Sequence, residues 1–525
     1  MTWRSTVFGL MALVIRLGLA GAAAAQGSGG TVTTEAGSLS GIWRDNAAVR
    51  AFLGVPFAAP PVGALRWQAP QPLQPWQGVR AADAFGAQCM QKPRSHTSVY
   101  YQYAGTQPTA EDCLYLNIWA PAAERAHDLP VMVWLYGGGF QQGSAANPVF
   151  DGTALARRGV VVVTVNYRVG IFGFFAHPEL AAESPAHASG NYGLLDQIAA
   201  LRWVQRNIAA FGGNPGNVTL FGQSAGAAAV DMLMAAPPAR GLFHHAIAES
   251  YGLSRHMPGR QAAEARGAQL AAQLGAEGLA ALRALPAARL LDEGGAWGPI
   301  VDGAVLPDDL YALFSDGREA DVPLLTGWNA DEGTTFPHAI TRAGYESGLH
   351  QRYGEAVAAG LLAIYPAQDD ASATTASVRM FGEGRLAWGA WSAARLHARN
   401  HFPTYVYFFS HPQPMLPGTG FDETAGGLAL GTFHSSEYPY IFGTLSVLSR
   451  AWTGADRALS QLFGAYWTAF AATGTPNAAG LGFWPAFDGS ADSIMRLGDQ
   501  GGAGPGAVVE RLRALDALDA PQAAN

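Results

Sequence analysis

At 525 residues, 49% hydrophobic and 14% charged, the chain has ample apolar mass for a deep core, which excludes an intrinsically disordered protein. Its formal charge of -8 argues against nucleic acid as a partner, because a phosphate-binding face must be basic. A single lysine, Lys92, stands among 32 basic residues, which with the abundant Ala and Gly suggests a GC-rich bacterial genome.

Residues 1–25 read as a secretory signal. Arg4 supplies the positive start, "TVFGLMALVI" the apolar core and "AAAAQ" a cleavage site after Ala25. Arg16 cuts the apolar stretch short of the roughly 20 residues a membrane helix needs. No later segment reaches that length, so no membrane span is expected. The expectation is an exported protein, periplasmic or secreted, running from residue 26. In such a compartment Cys89 and Cys113 are expected to pair, with two buried free thiols as the alternative. The closed loop would add about 3 kcal/mol. Two cysteines do not make a zinc site and the histidines show no ligand spacing beside them, so no metal is expected.

Further along, short apolar β-branched runs alternate with helical patterns. "VMVWLY" (131–136), "VVVVTVNYR" (160–168), "NVTLF" (217–221), "VPLLTGWN" (322–329) and "TYVYFF" (404–409) predict strands. In "LLDQIAALRWVQRNIAAF" (194–211), Leu194, Ile198, Leu201, Val204 and Ile208 recur at helical spacing. His244 and His245 fall in a stretch that reads as helical. Residues 340–400 are Ala-rich and helical, a cap over the sheet, and 507–518 is a final amphipathic helix. "GGAGPG" (501–506) mimics a dinucleotide fingerprint but follows no strand, and reads as linker. No internal repeat is visible. The pattern is an α/β architecture with a large, mostly parallel, buried sheet and helices on both faces.

The chemistry centres on "TLFGQSAGAAAV" (219–230). A strand, Gly-Gln-Ser-Ala-Gly and a helix from about Ala225 are the context of a nucleophile elbow around Ser224. Only small residues fit two positions before and after the serine, hence Gly222 and Gly226. A serine hydroxyl needs a base, and the base an orienting acid. "GWNADEGTTF" (327–336) offers Asp331 and Glu332 in a loop after a strand. "GTFHSSEYPYIFG" (431–443) offers His434 in a Gly-led loop. "WLYGGGFQQG" (134–143) puts three glycines after a strand, where bare N–H groups can face an oxyanion.

In those residues the chain resembles the type-B carboxylesterase/lipase family, which includes the cholinesterases and has the α/β-hydrolase fold. "FLGVPFAAPPVGALRWQAPQP" (52–72), "EDCLYLNIWAP" (111–121), "NYGLLDQIAALRWVQRNIAAFGGNPGNVTLFGQSAGA" (191–227) and "YWTAFAATGTPN" (466–477) look like its signatures. The resemblance implies one α/β-hydrolase domain over 26–525 and a serine carboxylesterase that takes a small-molecule ester and needs no cofactor. It makes Ser224 the nucleophile, Glu332 the acid and His434 the base, with Gly138, Gly139 and Ala225 donating to the oxyanion. It pairs Cys89 with Cys113 and marks Ser250 and Glu437 as supporting residues behind the acid and base.

Three departures set this chain apart. Gln223 stands where the family usually has Glu, so a negative field for cationic substrates is weakened. The Cys89–Cys113 loop lacks the tryptophan that packs on choline and offers His96, Tyr100, Tyr101 and Tyr103, as pocket wall or as plain packing. "AESYG" replaces the usual Gln-Ser-Gly. The reading is a bacterial carboxylesterase related to para-nitrobenzyl and fumonisin esterases. The rival class is a non-catalytic adhesion protein on the same scaffold, but such relatives typically lack the serine. Arg94, Arg379 and Arg385 either select an acidic acyl group or are surface charges. Trp297, Trp388 and Trp391 are expected in the core. The oligomeric state is not legible.

Overall fold

The computed structural model describes Met1 and residues 28–122, 127–336, 339–424, 428–498 and 505–518. The signal read over 1–25 therefore lies, apart from Met1, outside the described residues, as do residues 501–504 of the linker.

Twelve strands among the described residues form one sheet. It starts antiparallel, through β1 (Ser28–Thr34), β2 (Gly37–Arg44), β3 (Val49–Pro56) and β4 (Tyr115–Pro121). The remaining long strands are β5 (Leu129–Leu135), β6 (Val161–Val165), β7 (Gly213–Gln223), β8 (His245–Glu249), β9 (Leu324–Asn329), β10 (Thr404–Phe409) and β11 (Ile494–Leu497). The order is β1-β2-β3-β4-β6-β5-β7-β8-β9-β10-β11, with the short strand Val79–Ala81 beside β2. From β6 to β11 every neighbouring pair is parallel. Parallel strands are covered on both faces, and β6, "VVVTV", is accordingly buried along its whole length.

The stretch expected to be helical around His244 and His245 is β8 instead. It runs between β7 and β9, and its last four residues are buried. Burial in a central position outweighs the weak strand preference of "HAIAE".

α1 (Tyr192–Asn207) crosses from β6 to β7, and α2 (Ala225–Ala235) follows β7. Ser224 is the single residue between β7 and α2, with φ 57° and ψ -124°. Holding a non-glycine there costs on the order of 1–3 kcal/mol, and such strain persists only where the surroundings enforce it. A Cβ on Gly226 would lie 2.0 Å from the Leu135 carbonyl oxygen, and one on Gly222 2.6 Å from the Gly226 backbone. The elbow thus presses helix against strand with no room for a methyl group. Gly226→Ala is expected to cost about 3 kcal/mol through overpacking, read as a lowered Tm; a melting curve unchanged from wild type would contradict this close approach.

The cap consists of α3 (Arg342–Ile364), broken at Gly354 (φ 75°), α4 (Asp370–Phe381), a π-helical turn (Gly382–Ala387) and α5 (Trp388–Arg399). Together with α7 (Pro505–Ala517) it packs on Trp328 of β9 and Phe408 of β10. On its other side the sheet is covered by α6 (Gly454–Thr473), whose Phe463, Trp467 and Phe470 pack on Phe409, Tyr407 and Tyr405 of β10.

Candidate active site

The parallel strands deliver their following loops to one edge of the sheet, where a cavity of about 960 Å³ opens. Ser224 and His434 both line it, although they are 210 residues apart in the chain. The imidazole Nδ1 lies 2.6 Å from Glu332 Oε2. Both partners are 3% exposed, so solvent does little to weaken the contact. The other imidazole nitrogen, Nε2, is buried and has no hydrogen-bond partner among the described residues. It is therefore not bonded to Ser224 in this state; such bonds often tighten only when substrate is bound.

Of the two adjacent acids left open by the sequence, Glu332 reaches the imidazole. Its second oxygen accepts the Asn329 backbone N–H at 2.7 Å. Asp331 is turned away and accepts the Thr432 backbone N–H at 2.8 Å.

The glycine loop forms the opposite wall. Gly138 (φ 119°) and Gly139 (φ 63°) line the cavity beside Ala225. Gln141 and Gln142 N–H both donate to Gly138 O, folding the loop on itself, and a Cβ on Gly138 would sit 2.0 Å from Gln142 O. Ala225 opens α2, so its N–H belongs to the helix terminus, where backbone donors have no partner within the helix.

Behind the imidazole lies a buried polar layer. Ser250 Oγ donates to Glu437 Oε1 at 3.2 Å, and Asn329 Nδ2 donates to Glu437 Oε2. Gln223 Oε1 accepts from Tyr438 OH at 2.6 Å and from Ser435 Oγ at 3.1 Å, and its Nε2 lies 3.4 Å from His434 Nδ1. Tyr100 OH donates to the His434 carbonyl at 3.0 Å. Tyr100, Asn329 and Tyr438 were not singled out for these roles in the sequence, yet Asn329 and Tyr438 stand inside the two segments that supply the acid and the histidine.

Burial, then the nearby Glu332 charge, pushes the Glu437 carboxyl up to about 7. A carboxyl raised in the folded state stabilises the fold below its unfolded pKa, and that contribution is lost as pH rises through the folded value. For Glu437 the window runs from about 4.5 to about 7. Glu437→Gln is expected to flatten the pH dependence of Tm across this window, removing up to about 3 kcal/mol of loss. Thermal melts at four pH values check this; parallel curves for variant and wild type would contradict it.

Cys89 and Cys113 form a disulfide. The loop it closes supplies a second wall, to which His96, Tyr100, Tyr101 and Tyr103 contribute. Arg94 and Arg385 also line the cavity, whereas Arg379 lies in a smaller one of about 190 Å³ beside Asp331 and Glu332. Trp297, Trp388 and Trp391 are core residues, each 3% exposed, and do not line the main cavity.

Residues 28–511 match the carboxylesterase family. The chain belongs to the carboxylesterase family. Among its curated relatives is a fumonisin B1 esterase of Sphingopyxis macrogoltabida, 39% identical over 92% of this chain and 88% of the relative. A para-nitrobenzyl esterase of Bacillus subtilis (strain 168) is 34% identical over 87% and 92%. A solved PNB esterase structure superposes with a TM-score of 0.75 over 87% of this chain and 93% of that one, at 34% identity. This carboxylesterase has the α/β-hydrolase fold and is a carboxylic ester hydrolase of the serine type. Its family implies a small-molecule ester as substrate. No helix among the described residues is long and apolar enough to cross a membrane.

Proposed function

We propose that this carboxylesterase works through an acyl-enzyme formed on Ser224. His434 Nε2 takes the proton as the Ser224 hydroxyl attacks the ester carbonyl, and Glu332 orients the imidazole and stabilises its charged form. Gly138, Gly139 and Ala225 N–H hold the oxyanion, each donor worth on the order of 3 kcal/mol. The alcohol leaves with the proton from His434, and water then releases the acid by the reverse steps. Gln223, Ser250 and Glu437 act as supports for the imidazole and its acid.

The observation that carries this reading is the state of His434. Nδ1 is committed to Glu332 at 2.6 Å, and Nε2 is left unpartnered in the wall of the cavity that Ser224 also lines. That leaves the imidazole with one lone pair available to a substrate-side proton. The test uses p-nitrophenyl butyrate with and without methanol. The expected result is steady p-nitrophenol release, with methyl butyrate appearing when methanol competes with water for the acyl-enzyme. Absence of p-nitrophenol release would overturn the reading.

We further infer that the chain is exported, loses residues 1–25 and acts from Gln26 as one α/β-hydrolase domain capped by 340–400. The Arg-led apolar N-terminus and the disulfide support export, since disulfides persist in oxidising compartments. The shared packing of the cap on Trp328 and Phe408 supports one domain. N-terminal sequencing of protein recovered outside the cytoplasm should begin at Gln26; a chain that starts at Met1 or Thr2 would contradict the assignment.

A further inference from the structure

The acid and the base of the site stand on separate loops, and one side chain from a third loop touches both. Tyr100 OH donates to the His434 carbonyl at 3.0 Å and lies 2.7 Å from the hydroxyl of Thr335, which follows Glu332 in the acid's loop. A phenol has one proton and a carbonyl can only accept, so Thr335 Oγ1 is the donor in the second bond. Burial pushes the Tyr100 phenol well above its usual range, which keeps the bridging proton in place.

The carbonyl that Tyr100 holds belongs to a strained peptide. The next residue, Ser435, has φ 73°, a left-handed conformation that a side chain disfavours. Such strain persists only where the surroundings enforce it. Ser435 Oγ donates to Gln223 Oε1 at 3.1 Å, which anchors the side chain, and the Tyr100 hydroxyl anchors the carbonyl. Tyr100 is itself firmly seated. It lies in the loop that the Cys89–Cys113 disulfide closes. The segment Asp422–Thr424 docks that loop from outside. Asp422 Oδ2 accepts from Ser95 Oγ at 2.8 Å and from Thr97 Oγ1 at 2.9 Å, and Glu423 accepts from Ser98 Oγ and from the Val99 N–H. The Arg94 guanidinium adds a contact 5.3 Å from the centroid of the Tyr100 ring.

We propose that Tyr100 is a positioning residue for the triad: its hydroxyl ties the loop of the acid to the loop of the base and so holds the imidazole in register with Glu332 and Ser224. The proposal rests on the reading of Ser224, Glu332 and His434 as that triad. Without the phenol oxygen all three side chains remain, but the His434–Ser435 peptide is free to relax and the ring turns with it. A misplacement of about 1 Å in a reacting group can cost on the order of a hundredfold in rate.

The test is Tyr100→Phe, which keeps the ring and removes only the hydroxyl, assayed well below its Tm. On p-nitrophenyl butyrate kcat is expected to fall about tenfold or more, with KM close to wild type. The rate at which a fluorophosphonate labels Ser224 should fall by the same factor, because it reports the attack step alone. Thr335→Val is expected to lower kcat less. The double variant should be no slower than Tyr100→Phe, since both substitutions break one shared bridge. A role in packing alone would lower Tm and leave kcat of the folded protein unchanged. A role in holding substrate would raise KM and leave the labelling rate intact. Either of those outcomes, a fall in kcat of less than about tenfold, or additive losses in the double variant overturns the proposal. Labelling of the wild type reports separately on the catalytic reading: an adduct away from Ser224 would strike that reading and not the bridge.

Discussion

Ser224→Ala is expected to lower kcat by about 10⁶, because the hydroxyl is the atom that becomes acylated and nothing replaces it. Residual catalysis over water, on the order of 10³–10⁴, would remain from the oxyanion donors and binding. The fold should survive. Ser224 has its strained φ of 57° imposed by β7, α2 and the bond from its N–H to Glu249 O at 2.9 Å, all of which are backbone features that alanine keeps. Kinetics on p-nitrophenyl butyrate and a thermal melt check both halves. A variant with kcat within tenfold of wild type would remove Ser224 from the mechanism.

Glu332→Gln is expected to lower kcat by about 10⁴ with little change in stability. The reason is a count of oxygens. In the carboxylate, Oε1 accepts the Asn329 N–H at 2.7 Å and Oε2 faces His434 Nδ1 at 2.6 Å. An amide has one oxygen. If that oxygen keeps Asn329, an NH₂ group meets Nδ1, forces the proton onto Nε2 and removes the acceptor that Ser224 needs. If it turns to His434 instead, a buried backbone N–H loses its partner and the imidazolium still lacks a counter-charge. Steady-state kinetics decide; a loss of less than tenfold would show that the Glu332 charge is dispensable.

The elbow was legible because everything that makes it is local: a β-branched strand, two glycines whose Cβ positions are blocked, and an alanine-rich helix. The acid was legible only as a pair. Asp331 and Glu332 are neighbours, and what separates them is the loop geometry that hands Asp331 to the Thr432 N–H, a contact 101 residues away in sequence. The antiparallel strands β1–β4 went unread, since segments such as "TVTT" are short and partly polar. β8 was missed because five residues, two of them Ala, carry little period of either kind. The character of the cavity was less legible still. Arg94 and Arg379 look alike in sequence, but the disulfide loop turns one into the cavity while the cap leaves the other exposed beside Asp331.

The central claim is that Ser224 forms the covalent intermediate with His434 as its base. The most direct measurement is stoichiometric labelling with a fluorophosphonate, followed by peptide mass spectrometry on the wild type and on His434→Ala. The expected result is one adduct per chain, on Ser224, with activity lost in proportion to labelling and with labelling slowed by orders of magnitude in the variant. An adduct on another residue, or full activity with Ser224 labelled, would contradict the account.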